Sequence, residues 1–373
     1  MTATRVLFTI PNFITAGSGR AMLNVIERLD RRRFTPFVCV SLRGGRLDPV
    51  VEEMGIPLLE AQTKTAARPL YGLYGRVKSA AATFRPYGFD LWHSFQYLDD
   101  YTEPLVARAA GARAWVFTKK NMAWNRRAWL VRSLLASHVA VQNSDMLQMF
   151  YKGPLFRGKV TLIRPGVDGT HYTPDVPHRL KLRTSLGISR SSLLVGCVAN
   201  LLPIKGQTTL IRAIRDVPGA HAILAGSTSD ASFVAGLSEL GAELGVTARV
   251  HILGPVDDVP ALLAELDIFV LPSVPPGEGC PVALLEAMSS GRACVTSNVP
   301  GCREPMVNGR SGLLVPPGDH EALAGALTSM ESPSVRMSFG EEARRRVLEL
   351  FTLEQEARAY EDMYAKLVGE GRV

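Results

Sequence analysis

At 373 residues the chain is long enough for two α/β domains, and its 46% hydrophobic and 21% charged residues are those of an ordinary globular protein. No apolar run reaches the roughly 18–20 residues of a membrane-spanning helix, and five cysteines without a C-x-x-C pair argue against a zinc or disulfide framework and for a reducing cytoplasm. The net charge of +7 is unevenly held, with 24 Lys/Arg against 12 Asp/Glu in residues 1–170 and 18 against 23 beyond, so the front half suits either an anionic partner or an Arg-rich solvated surface.

The opening MTATRVLFTIPNF has a five-residue apolar core and no small-residue cleavage site, so a first strand is expected there rather than a signal peptide. Further strands are expected at Pro36–Ser41, Phe89–His93, Ala114–Thr118, His138–Gln142 and Val160–Ile163, the first covering Arg5–Ile10. Amphipathic stretches at Arg20–Leu29, Leu70–Phe84 and Trp124–Leu135 separate some of them. This alternation predicts a parallel sheet with helices on both faces. Arg164–Pro177 (RPGVDGTHYTPDVP) interrupts it with prolines and glycines and is expected to be an interdomain linker. Beyond it the pattern restarts, with strands expected at Leu193–Ala199, His221–Leu224, Val250–Ile252, Ile268–Leu271 and Ala293–Thr296. Helices are expected at Gln207–Arg215, Phe233–Leu244, Val259–Glu265, Val282–Ser289 and Glu321–Ser329. A helical tail follows from Ser334, interrupted near Phe351-Thr352, where Thr352 could cap a last helix. Two doubly wound sheets in tandem are expected, with ligands beyond the carboxyl ends of their strands and a cleft between them.

Two glutamates eight positions apart, Glu278 and Glu286, flank a Gly-Pro loop and a helix start in PPGEGCPVALLEAMSSG. Pro281 suits the first helical turn, where its missing N–H costs nothing. The amides of Gly279, Cys280 and Val282 then make an anion site. Carboxylates on either side could hold hydroxyls at opposite ends of one extended ligand, a description that fits a nucleotide sugar. Taken singly, each glutamate reads more readily as a solvated residue, Glu278 of the loop and Glu286 of the helix surface.

Lys205 follows the strand of VANLLPIKGQ and is placed to neutralise a phosphate, unless it is simply solvated. Gly17 and Gly19 in the first β–α turn allow close backbone approach. The dinucleotide fingerprint fails there, because Met22 stands where its third glycine belongs. His93 ends a strand and is either a ligand-edge group or a satisfied structural residue. No nucleophile elbow or Walker loop is present. The aromatics are not interleaved with the basic runs, so no nucleic-acid partner is expected.

In this order the motifs resemble the retaining family 4 glycosyltransferases of the GT-B fold. The segments are AGSGRAMLNVIERL, FDLWHSF, LIRPGVDGTHYTP, VANLLPIKGQTTLIRAI, HILGPVDDVPALLAELDIFVLPS, EGCPVALLEAMSSG and NGRSGLLVPPGD. The resemblance implies two Rossmann-like doubly wound domains facing a cleft. Residues 1–167 would be the acceptor-binding domain, with a helix from about 352 to 373 packed back on it, and 168–351 the nucleotide-sugar-binding domain. It places Glu278 on the donor sugar, Glu286 on the ribose, and Lys205 at the diphosphate. His93 would lie close to the transferred sugar, and Gly17, Ser18, Gly19 and Arg20 near the donor phosphates. Val256 would pack on the base. The family's usual Gly-Arg is Ala199-Asn200 here, so Asn200 can offer a hydrogen bond but no charge, and Ser18 interrupts the usual Gly-Gly pair.

The implied reaction is hexose transfer from a nucleoside-diphosphate sugar, with no cofactor and no metal, to a glycan or lipid-linked acceptor in bacterial glycan, polysaccharide or glycolipid synthesis. The readings beside it are a nucleotide-sugar 2-epimerase and a catalytically silent nucleotide-sugar-binding partner. A cytoplasmic location is expected. Arg28–Arg33, Lys119-Lys120 and Arg126-Arg127 are candidates for a peripheral hold on the anionic inner face of the membrane.

Overall fold

The computed structural model describes residues 3–14, 16–97, 99–124, 126–177 and 181–369. Thr15 in the first β–α turn, Asn125 in the Trp124–Leu135 helix expectation, and residues 370–373 of the last helix expectation lie outside them. The chain divides into two compact units, one of residues 1–165 with 353–373 and the other of 166–352.

Unit 1 contains β1 (Thr4–Ile10), α1 (Ala16–Arg28), β2 (Phe34–Val40), α2 (Asp48–Glu53), β3 (Leu58–Glu60), α3 (Leu73–Ala82), β4 (Leu91–Ser94) and α4 (Glu103–Ala110). It continues with β5 (Ala114–Lys119), α5 (Arg126–Leu135), β6 (His138–Val141), α6 (Ser144–Phe150) and β7 (Val160–Leu162). Its seven strands run in the order β3-β2-β1-β4-β5-β6-β7, and every pairing is parallel. Alternate residues of β1 feed two separate cores. Val6, Phe8 and Ile10 pack on one face with Met22, Leu23, Val25 and Ile26 of α1, while Leu7 packs on the other with Trp92 and Phe117. A strand buried on both sides must be apolar at nearly every position, which is why VLFTI lacks polar alternation.

Unit 2 contains the short α7 (Leu182–Ser185), β8 (Leu193–Val198), α8 (Gln207–Asp216), β9 (Ala220–Ala225), α9 (Ala231–Glu243), β10 (Val250–Gly254), α10 (Val259–Glu265) and β11 (Ile268–Leu271). Then come α11 (Val282–Ser289), β12 (Ala293–Ser297), β13 (Leu313–Val315), α12 (His320–Ser329) and α13 (Pro333–Leu350). Its six strands run β10-β9-β8-β11-β12-β13, all parallel, around one continuous core.

The last helix, α14 (Leu353–Val368), returns to unit 1. Tyr360, Met363 and Tyr364 join the core beneath α1, and Glu354 and Glu361 pair with Arg28 and Arg33. Thr352 stands directly before α14, paired by a bridge to Val167.

The alternation predicted from sequence corresponds to these two sheets. Short β3 and β13, and helices α2, α4, α6 and α7, fall outside the expected elements. The helices have four to eight residues and little periodicity to read, and three-residue strands carry no alternation. Helix α1 begins at Ala16, four residues before the expected Arg20, so Gly17–Gly19 form its first turn rather than a loop.

Candidate functional site

In unit 2 the strand order reverses between β8 and β11, because β9 and β10 lie on one side of β8 and β11–β13 on the other. At such a reversal the connections leave in opposite directions and open a crevice beyond the carboxyl ends. Lys205 stands on the connection leaving β8 and Glu278 on the connection leaving β11. Their side chains meet there, with Lys205 Nζ donating to Glu278 Oε1 at 2.7 Å. Ser273 Oγ donates to the same oxygen, also at 2.7 Å.

Backbone contacts fix this meeting. Val274 N donates to Ile204 O at 2.9 Å, tying the two connections, and Glu278 N donates to Pro300 O at 2.9 Å beyond β12. Gly206 has φ +69° and lies so close to Pro272 that a Cβ would stand 1.9 Å from its carbonyl oxygen. Only glycine takes both that conformation and that approach. Gly226 does the same on the other flank, where a Cβ would meet Ala199 O at 2.0 Å.

The helices that start at this edge lack side-chain caps. The N-cap of α8 is Gly206 and that of α11 is Pro281, and neither provides a side-chain acceptor. Asp230, Asp258 and Asp319, in contrast, accept from the third residue of α9, α10 and α12. Uncapped starts leave amide donors and the positive end of the helix dipole for an anion. Pro281 sits at the N-cap of α11, not inside its first turn as the sequence reading placed it. Glu286 is the fifth residue of α11, partly buried, with a side-chain hydrogen bond to Tyr172. Burial pushes its carboxyl up to about 7, and the Tyr172 bond pulls the other way.

Asn200 is exposed past β8, and its carbonyl accepts from Gln207 Nε2 at 3.0 Å. Val256 follows the edge strand β10 and packs partly on the core; the edge is tied back by Gly226 N donating to Gly254 O at 2.9 Å. Gly279 is buried, while Cys280 and Val282 are half-buried.

Three residues of this edge escaped the sequence reading. Ser273 orients Glu278. Gln207 is fully buried with its amide oxygen unpartnered. Tyr172, inside the segment expected to be a linker, is itself clamped. Its carbonyl accepts from Ser289 Oγ at 2.7 Å and from Arg344 Nη1 at 3.0 Å. A tyrosine next to a histidine in a Pro/Gly-rich stretch gave no periodic signal to find it by.

The remaining predicted residues lie on unit 1. Gly17 and Arg20 are exposed in the first turn of α1, where a Cβ on Gly17 would meet nothing within 4 Å. Ser18 is buried, hydrogen-bonded to the Tyr97 hydroxyl, and its carbonyl accepts from Lys120 Nζ at 3.5 Å. Gly19 is close-packed, since a Cβ would meet Phe13 Cδ1 at 2.6 Å.

His93 does not face a ligand edge. It is 0% exposed, and both ring nitrogens are taken, Nδ1 by the Tyr364 hydroxyl at 2.5 Å and Nε2 by Thr118 Oγ1 at 2.9 Å. Burial, with a smaller push from Lys120, holds it neutral, well below the ordinary histidine value. The ring packs beneath α14, whose Tyr364 supplies one of these two partners.

Lys119 is likewise no surface cation. Its ammonium is buried, donates to Asn121 O, Asn121 Oδ1 and Ala123 O at 2.6–2.7 Å, and lies 3.9 Å from the Trp129 ring centroid. Lys120 lies 4.2 Å from the Phe95 centroid, and burial draws its pKa down to about 7. The side chain of Arg126 lies outside what the structure describes. Among the described residues no three His, Cys, Asp or Glu side chains gather as metal ligands, and no helix is long and apolar enough to cross a membrane.

A basic residue, two carboxylates and two helix starts without side-chain caps lie toward the switch point of a doubly wound sheet, an arrangement suited to an anionic ligand. The family model for glycosyl transferases of group 1 matches residues 192–332, which contain this edge. A lipopolysaccharide core biosynthesis mannosyltransferase (LpcC) of Rhizobium leguminosarum bv. viciae is 30% identical over 280 residues, 72% of each chain. The UDP-Gal:alpha-D-GlcNAc-diphosphoundecaprenol alpha-1,3-galactosyltransferase of Escherichia coli is 26% identical over 62% of this chain and 60% of its own length. Among solved structures, Anabaena HepE in complex with UDP-glucose superposes with a TM-score of 0.84 at 22% identity, over 97% of this chain and 99% of that one. The chain belongs to the group 1 glycosyltransferases, of the family 4 type, and its two Rossmann-like domains are those of the GT-B fold.

Proposed function

We propose that this chain moves one hexose unit from a nucleoside-diphosphate sugar to an acceptor hydroxyl, with retention at the anomeric carbon and no need for a divalent metal. The observation that carries the reading is the Lys205–Glu278 pair at the β8/β11 reversal, beside two helix starts without side-chain caps. Cleaving a glycosyl–phosphate bond builds negative charge on the departing diphosphate, which preorganised donors must meet. Lys205 and the first amides of α8 and α11 supply them. Glu278 holds donor-sugar hydroxyls, and Glu286 holds the ribose. Asn200 adds a neutral donor where the family resemblance leads one to expect a cation. The acceptor attacks from the face the diphosphate leaves, and the leaving phosphate takes its proton. This scheme needs no second carboxylate across the anomeric carbon, unlike that of retaining glycosidases.

Unit 2 is assigned to the donor and unit 1 to the acceptor, with Gly17–Arg20 assigned to donor phosphates on the family resemblance. The names of the two relatives support a hexose donor and a glycan or lipid-linked acceptor in the synthesis of a bacterial surface glycan. Calorimetry against UDP-, GDP- and ADP-sugars identifies the donor. Product analysis with acceptor then reads the anomeric configuration, and donor alone separates transfer from epimerisation. A Lys205→Ala enzyme working at full rate would sink the assignment.

A further inference from the structure

We propose that the segment around Leu70, Tyr71 and Tyr74 is a docking surface for an anionic lipid bilayer. It adds a location to the transferase reading above, on which its biological sense rests. After β3 the chain makes a 3-10 turn at Leu70–Gly72 and enters α3. Leu70 is 69% exposed, Tyr71 94% and Tyr74 79%. Tyr71, Tyr74 and Lys78 follow at helical spacing, so they share a face. The opposite face buries Val77 and Ala81 in the core that holds Phe84 and Trp92. Folding therefore has no use for the aromatic face, and three large side chains standing together in water need another explanation.

The surface is preformed. Arg76 Nε donates to Ala66 O at 3.0 Å and its Nη2 to Pro69 O at 2.7 Å, pinning the loop that carries Leu70 and Tyr71. Along the chain the segment is also of one sign. Between Glu60 and Asp90 there is no acidic residue, while Lys64, Arg68, Arg76, Lys78 and Arg85 supply five cations. Arg68, Lys78 and Arg85 are exposed. Tyrosine rings favour the depth of lipid headgroups, with an apolar body inward and a hydroxyl in water. Flanking cations add attraction to anionic headgroups.

The basic run Arg28–Arg33, to which the sequence pointed first, is different. Arg28 pairs with Glu27 and Glu354, Arg32 with Asp30, and Arg33 with Glu361, so most of its charge is spent inside unit 1. It also carries no exposed aromatic.

The test is co-sedimentation of the full chain with phosphatidylcholine vesicles, with and without phosphatidylglycerol. Binding to the anionic vesicles at low salt should exceed that to neutral ones by at least about ten-fold and fall as salt rises. Tyr71→Ser with Tyr74→Ser should weaken it by about ten-fold or more with an unchanged melting temperature, since neither ring packs on the core. Arg68→Ser with Lys78→Ser should remove the preference for phosphatidylglycerol. Arg31→Ser with Arg32→Ser should stay within about two-fold of the parent. Parent-like binding by the tyrosine variant overturns the proposal, and so does a parent that ignores anionic vesicles. Calorimetry with the UDP-, GDP- and ADP-sugar panel on the same samples reads the transferase assignment separately. Sugar-nucleotide binding without vesicle binding overturns the docking surface alone, and the converse overturns the transferase reading alone.

Discussion

Lys205 and Glu278, 73 positions apart in the chain, neutralise one another through a 2.7 Å contact at the carboxyl edge of adjacent strands. The two groups have different tasks in the proposed reaction, one toward the diphosphate and one toward the sugar. Without donor each serves as the other's counter-charge. With donor bound, the diphosphate competes for Lys205 and the sugar hydroxyls for Glu278, so the pair can open without stranding either charge.

Removing Lys205 therefore damages both partners. Lys205→Ala loses the cation at the leaving group and leaves the Glu278 carboxylate with the Ser273 hydroxyl as the remaining contact of those described above. We expect turnover to fall by about 100- to 1,000-fold, the scale of losing one preorganised donor at a developing charge. Glu278→Gln keeps the shape and loses the charge, and should also act mainly on turnover. Steady-state kinetics with calorimetric donor affinities checks both, and the expected signature is a large change in kcat with a smaller one in Kd.

Glu286 should make donor affinity depend on pH. Its carboxyl, pushed up to about 7 by burial, is largely protonated below that value and a full acceptor above it. Affinity for the nucleotide sugar should therefore strengthen as pH rises through about 7. Glu286→Gln should flatten the profile, and Glu286→Ala should weaken binding by about ten-fold or more at high pH with less effect on kcat. The same shift acts on stability with the opposite sense. The folded state holds more protons than the unfolded one between about 4.5 and 7, so the stability of unit 2 falls as pH rises across that window. Calorimetric titration and urea unfolding over the same pH range measure the two trends.

Tyr172 acts through Glu286, so its variant has a distinctive signature. The Tyr172 bond favours the charged carboxylate, and Tyr172→Phe should lift the Glu286 pKa further. Donor affinity near neutral pH should drop several-fold and recover at higher pH, where the carboxylate is ionised in both proteins. A loss that stays constant with pH would mean that Tyr172 only packs.

The fold was readable because two sheets buried on both faces demand long apolar strands at regular intervals, and those leave a strong trace in sequence. Lys205, Glu278 and Glu286 were readable because each follows a strand end or a helix start marked by glycine or proline. Tyr172, Ser273 and Gln207 were not, since each acts by touching a side chain or backbone group whose place is set by the tertiary fold. His93 was open to two readings for a related reason. A polar residue at the end of an apolar strand reads as a ligand group or as a structural one until the element covering it is known, and α14 arrives from more than 250 residues away.

That difference gives His93 its own test. A structural histidine and a catalytic one respond differently to His93→Phe. The ring volume is nearly kept, but Tyr364 loses its hydroxyl partner at 2.5 Å and Thr118 one of its two. Leaving a buried hydroxyl unpaired costs about 1–3 kcal/mol, so urea unfolding should show a clear loss for unit 1. Turnover per folded molecule should stay within a few-fold of the parent. The pH dependence follows as well. His93 is held neutral in the fold, whereas the unfolded chain takes up a proton near its ordinary value of 6.5. The parent therefore loses stability as pH falls below about 6.5, and His93→Phe should lack that contribution. A variant that keeps its stability but loses turnover by orders of magnitude would return His93 to the reaction.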